Sequence, residues 1–130
     1  ARIARGLEQD VHLGTLEPRR DWGYALDTVE GMRAIVGAKK PDDFILATGE
    51  THSVGDFCEA AFEAVGLDYR KHVVIDPEYA RPVDINETRG DARKALRELG
   101  WAPRTSFREL VKLMVDAENA VLDGRGEPSA

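Results

Sequence analysis

Apolar residues recur along this chain in short blocks whose period switches between two and about three and a half. Ile3 and Leu7, set among Arg2, Arg5 and Glu8, read as the end of a helix, and Val11-His12-Leu13-Gly14 alternates as a short strand does. After a polar loop opened by Glu17-Pro18, Leu26, Val29, Met32, Arg33 and Val36 recur at helical spacing up to Gly37 and Pro41. This predicts a helix that buries one apolar stripe. Asp43 to Gly49, with Phe44, Ile45, Leu46 and Ala47, is almost continuously apolar, as strands covered on both faces are, and predicts a parallel-sheet strand.

Ser53 is placed to cap a second helix, with Asp56 in its first turn, and Val54, Phe57, Cys58, Ala61 and Val65 trace one face before Gly66. Val73-Val74-Ile75 is a β-branched strand that runs into Asp76-Pro77. Asp91 is placed to cap a helix containing Ala95, Leu96 and Leu99, stopped by Gly100. Ser106 to Glu109 has the reciprocal capping pattern, and Phe107, Leu110, Val111, Met114 and Val121 continue as an amphipathic helix. Residues 1–122 are expected to form one domain, with a disordered tail from Asp123 to Ala130. Alternating strands and helices predict an α/β fold. Only about three short strands are visible, so the alternation is incomplete, and neighbouring strands are expected from an N-terminal portion outside these residues.

The length of 130 residues suits a single domain that needs no disulfide or metal staple. Against 24 acidic residues there are 18 basic ones, net charge −6, which excludes a broad nucleic-acid surface and makes any anion site local. The single cysteine, Cys58, permits no internal disulfide and fits a reducing cytoplasm, and it reads as core. His12, His52 and His72 stand apart, without zinc-ligand spacing, so no metal site is expected. No apolar run approaches the ~20 residues that span a bilayer.

Two arginine-bearing loops carry the candidate chemistry. In Arg19-Arg20-Asp21-Trp22-Gly23 a guanidinium between a strand and a helix suits a phosphate, to which its planar fork donates two parallel hydrogen bonds. From spacing alone, the commoner reading is structural, with Arg20 paired to Asp21 or Asp27. In Tyr79-Ala80-Arg81-Pro82 the proline restricts Arg81 to extended geometry, and Asp84 follows three residues on. These two are met as well by a surface ion pair. Thr48 to Ser53 joins the apolar run to a helix N-terminus, where α/β sheets bind ligands, although a histidine such as His52 at a helix entry is more often structural.

Several enzyme signatures fail. The twelve glycines include no dinucleotide fingerprint, and Gly124-Arg125-Gly126 follows no strand. Lysine is absent four residues after Tyr24, Tyr69 and Tyr79, where Thr28, Val73 and Val83 stand, so no Tyr-x-x-x-Lys pair exists. No nucleophile elbow occurs, and no catalytic residue is assigned in this chain.

The segments Leu13-Gly14-x-Leu16-x-x-x-Arg20-Asp21-Trp22-Gly23, Ala47 to Val54, Arg81-Pro82, Gly90-Asp91 and Leu99-Gly100-Trp101-x-Pro103-x-Thr105-x-Phe107 together resemble the C-terminal part of GDP-mannose 4,6-dehydratases, of the extended short-chain dehydrogenase/reductase group. The likeness covers roughly residues 1–122. It implies a substrate-binding portion lacking the Rossmann half, which binds NADP in that family. It implies that Arg20 and Arg81 contact the diphosphate of GDP-mannose, and that Asp84 stands where the family has a glutamate facing the ribose or base. Thr15 joins the substrate site in place of a usual asparagine, and Tyr24 replaces a usual histidine. The resemblance further implies conversion of GDP-mannose to GDP-4-keto-6-deoxymannose, self-association of the full enzyme, a cytoplasmic location and no activity for this chain alone. A related GDP-sugar epimerase or 4-keto-reductase, and a stand-alone nucleotide-sugar-binding module, remain as alternatives.

Overall fold

In a computed structural model that describes residues 1–81 and 84–125, the alternating run at Val11–Leu13 and the β-branched run Val73–Ile75 find each other. Strand β1 (Val11–Leu13) has as its parallel partner the later strand Val73–Ile75, with Val11 opposite Val73 and Leu13 opposite Ile75. The Val11 amide donates to the His72 carbonyl at 2.8 Å and the Asp76 amide to Leu13 at 2.9 Å, so the ladder is closed at both ends. Because the strands are parallel, both run out at the same edge, one into Gly14-Thr15 and the other into the loop leading to Arg81. Gly14 is required there: a Cβ on it would lie 2.3 Å from the Tyr79 carbonyl oxygen.

A second sheet forms where no apolar alternation announces it. Strand β2 (Arg19–Arg20) is its centre, antiparallel to β3 (His52–Ser53) and parallel to a later strand, Glu87–Thr88. In chain order the pair of β1 is β4 (Val73–Ile75) and the last strand is β5 (Glu87–Thr88). Each strand of this second sheet is two residues long and polar, which is why periodicity does not reveal it.

Four helices carry most of the packing. Helix α1 (Ala25–Val36) lays Gly31 against Leu46 and Trp101. Helix α2 (Val54–Glu63) starts with the reciprocal Ser53/Asp56 cap, and α4 (Phe107–Leu122) with the equivalent Ser106/Glu109 cap. Helix α3 (Arg93–Leu99) ends at Gly100 in the left-handed conformation, φ 67°. Its N-cap is Ala92 rather than the expected Asp91, whose carboxylate instead accepts from the Arg93 amide at 3.0 Å. The buried apolar residues are Cys58, Ala95, Trp101, Leu110 and Val111, and a Trp22–Phe57–Phe107 cluster joins the loop after β2 to α2 and α4.

Three expectations are corrected. Residues 2–9 contain a single 3-10 turn, Ile3–Arg5, closed by Gly6 at φ 68°, not a helix end. The run Asp43–Gly49 forms no strand, because no described segment of the chain pairs with its backbone. Helix α1 does not bury its stripe: Leu26, Val29, Met32 and Val36 are 45–88% exposed, since the face carrying Gly31 is turned inward instead. Helix α4 is followed by a turn in which Asp123 pairs with Arg5 and Arg125 at 2.6 Å each. The rest of the expected tail, residues 126–130, lies outside the described residues.

The total accessible surface is 9299 Å². A closed monomer of 14.4 kDa would expose about 6,800 Å². This chain therefore leaves about a third more surface open than a self-contained domain of its mass.

Candidate functional site

The parallel pair β1 and β4 delivers two loops to one edge, the place where open α/β sheets present ligand-binding groups. Thr15, half-buried, sits in the first loop, its hydroxyl accepting from the Glu17 amide at 3.4 Å. The second loop begins with the 3-10 turn Pro77–Tyr79, capped by the Asp76 carboxylate, and ends at Arg81. Contact of Gly14 with the Tyr79-Ala80 backbone holds the two loops against each other. Arg81 is exposed and makes no hydrogen bond to the described residues, while its neighbour Pro82 lies outside them.

Arg20 ends β2 facing the strand that follows this loop. Its guanidinium donates to the Asp84 carboxylate at 2.6 Å and to the carbonyls of Ile85 at 2.7 Å and Arg19 at 2.8 Å. Two residues lie between Arg81 and Asp84, a span of at most about 11 Å. Among the described residues Arg20 meets Asp84, and the loop carrying Thr15 meets the backbone just before Arg81. The pairing of Arg20 with Asp21 or Asp27, open from the sequence, does not occur; its partner is Asp84.

Asp21 and Asp27 have other work. Both carboxylate oxygens of Asp21 are used: Oδ1 accepts from the Thr48 amide at 2.9 Å and the Thr48 hydroxyl at 2.6 Å. Oδ2 accepts from Gly49 at 2.9 Å and Gly90 at 3.2 Å. Partial burial acts to raise the Asp21 pKa, but these hydrogen bonds outweigh it and hold the group below the ordinary aspartate value. Asp27 accepts from the amides of Arg104 and Thr105 at 3.0 and 2.8 Å and fixes the segment before α4. Nothing in local spacing singles out Asp21, because its partners lie 27 to 69 residues away.

The N-terminus of α2 is closed to a ligand. Its four leading amides are taken by Asp56 and Ser53 side chains and by the carbonyls of Pro18 and Leu16. His52 stacks on Phe107 with ring centroids 3.8 Å apart, and its Nε2 is buried without a hydrogen-bond partner among the described residues. Its carbonyl accepts from the Trp22 indole at 3.0 Å. His52 is therefore a packing residue. A cleft of about 520 Å³ lies elsewhere, between Thr48-Gly49, Arg89-Gly90 and Trp101.

The chain resembles known proteins in sequence and in fold. Residues 1–114 match the family described as GDP-mannose 4,6 dehydratase. GDP-mannose 4,6 dehydratase 1 of Arabidopsis thaliana is 44% identical over 117 residues, covering 90% of this chain and 32% of the plant protein. Among solved structures, UDP-glucose 4-epimerase from Thermotoga maritima, with UDP-glucose, superposes with a TM-score of 0.75 at 30% identity, covering 93% of this chain and 38% of that one. RMD from Pseudomonas aeruginosa, complexed with NADPH, shares the fold with a TM-score of 0.78 at 14% identity, covering 88% of this chain and 38% of that one. The chain spans about a third of the length of the Arabidopsis protein, and by its sequence it belongs to the GDP-mannose 4,6 dehydratase family.

Proposed function

We propose that this chain is the GDP-sugar-binding portion of a GDP-mannose 4,6-dehydratase, which removes water from GDP-mannose to give GDP-4-keto-6-deoxymannose. The observation that carries the reading is the Arg20–Asp84 pair, three positions along the chain from the exposed Arg81. Arg81, exposed on its loop, takes the diphosphate as a bidentate donor; Arg20 supplies the second positive charge; Asp84 faces the ribose or base of the nucleotide; Thr15 offers a hydroxyl to the sugar nucleotide.

In this reading the NADP that serves the reaction is held outside these residues. The chain has no glycine fingerprint, and the amides at the start of α2 are already satisfied, so the residues present do not fit a dinucleotide. The partner of the chain is the remaining, NADP-binding part of the complete enzyme. The exposed stripe of α1 and the unpaired run Phe44–Ala47 are the face it covers, because the excess exposed surface and the one-third coverage of relatives ask for the same partner. Among the described residues no helix is long and apolar enough to cross a membrane. A cytoplasmic, self-associating full enzyme completes the proposal.

Two charge-assisted arginine contacts contribute roughly 3–6 kcal/mol together, whereas micromolar affinity needs about 8 kcal/mol. Calorimetric titration of the chain with GDP-mannose is therefore expected to show saturation only well above micromolar ligand, weakened at least tenfold by Arg81→Ala. Binding of UDP-glucose as strong as that of GDP-mannose would sink the proposed specificity. Turnover is expected only when the chain is co-expressed with an NADP-binding part.

A further inference from the structure

We propose that Asp21 is the positioning residue of the Arg20 site, a single carboxylate that fixes the guanidinium-bearing strand against both of its neighbours. The inference rests on the reading of Arg20 as a diphosphate contact. Strand β2 is only two residues long, and so are β3 and β5 beside it. Ladders this short are marginal by themselves and leave the direction of Arg20 loosely set.

Asp21 follows Arg20 directly, and its amide extends the ladder to the Thr88 carbonyl at 3.0 Å. Its two oxygens then reach across to the loop before β3, through Thr48 and Gly49, and to the loop after β5, through Gly90. Those loops also touch: a Cβ on Gly90 would lie 2.3 Å from the Ala47 Cβ, and Gly49 takes φ +79° to turn its amide inward. The staple spends Asp21's acceptors inside the protein, so that Arg20, which donates to Asp84 and to the Ile85 and Arg19 carbonyls, keeps its remaining donors for a ligand.

The test uses GDP as the probe and the 130-residue chain, read by amide NMR. Asp21→Asn puts a donor where Oδ1 or Oδ2 accepts, and Thr48→Val, nearly isosteric, removes one of the four donors. Both are expected to weaken GDP binding, Asp21→Asn at least fivefold and Thr48→Val about twofold. Amide exchange at Gly49 and Gly90 should rise at least tenfold in Asp21→Asn. Val115→Ala, which loosens α4 where it lines a cleft with Val11, Phe62 and Val65 and with none of the residues of these loops, is expected to leave GDP affinity within twofold. Unchanged affinity in both Asp21→Asn and Thr48→Val, with Arg20→Ala still weakening GDP, overturns the positioning role alone. Equal weakening by Val115→Ala also overturns it, since the effect would then follow general stability. No effect of Arg20→Ala removes the reading of the site and the role of Asp21 with it.

Discussion

Arg20 and Asp84 meet at 2.6 Å across 64 residues of chain, with 27% and 26% of their side chains exposed. The contact ties Asp84, three residues before β5, to β2, and in the proposed diphosphate role of Arg20 it takes a donor for which a phosphate would compete. Asp84 also accepts from its neighbouring Ile85 amide at 2.8 Å.

Asp84→Asn is therefore expected to separate the two roles. Loss of a partly exposed, charge-assisted pair lowers stability by about 1–2 kcal/mol, read as a drop in thermal midpoint. Inorganic pyrophosphate should at the same time bind two- to tenfold more tightly, because Arg20 loses its competing carboxylate. Weaker pyrophosphate binding in the variant would show that Asp84 builds the anion site rather than competes with it.

Close backbone approaches make two glycines sensitive. A Cβ at Gly14 meets the Tyr79 carbonyl at 2.3 Å and one at Gly90 meets the Ala47 Cβ at 2.3 Å, and neither obstacle is the free end of a flexible side chain. Gly14→Ala and Gly90→Ala should each cost about 1–3 kcal/mol in chemical denaturation. Gly37→Ala, with nothing nearer than 3.6 Å, serves as the control and should be close to neutral.

The acid limb of stability follows from the carboxylates. For Asp21 and Asp27, partial burial acts upward but hydrogen bonds win; for Asp56, the Ser53 amide leads the lowering. Exposed Asp91 and Asp123 are held down to about 2 by their arginine partners, Arg93 for the first and Arg5 with Arg125 for the second. Folded values below the unfolded value near 3.9 mean that the stabilisation is complete above pH ~4–5 and is lost as the pH falls through the folded values. The thermal midpoint should be flat from pH 7 to about 5 and fall steadily from about 4 to 2. A midpoint that rises on acidification would contradict these assignments.

The open stripe of α1 should make the isolated chain associate. Val29→Lys combined with Val36→Glu is expected to reduce the light-scattering mass toward that of one chain while changing stability by less than about 1 kcal/mol, as exposed positions do. The same pair should abolish recovery of activity with an NADP-binding part.

Much of the fold was legible because its signals are local. The strand patterns at Val11–Leu13 and Val73–Ile75, the Ser53/Asp56 and Ser106/Glu109 caps and the Gly100 stop are written in neighbours within four residues, and each stands where the spacing put it. The family was legible too, since it rests on the order of residues. Tertiary structure decided the rest, because the physics there is long-range. Arg20 chose Asp84 over the nearer Asp21 and Asp27, whose carboxylates are spent on amides and a hydroxyl 27 to 78 residues away. The polar strands β2, β3 and β5 exist only as a ladder between distant segments. The apolar run Asp43–Gly49 has strand chemistry without a strand, since a backbone becomes one only when another backbone pairs with it, and hydrophobic pattern records the preference but not the partner.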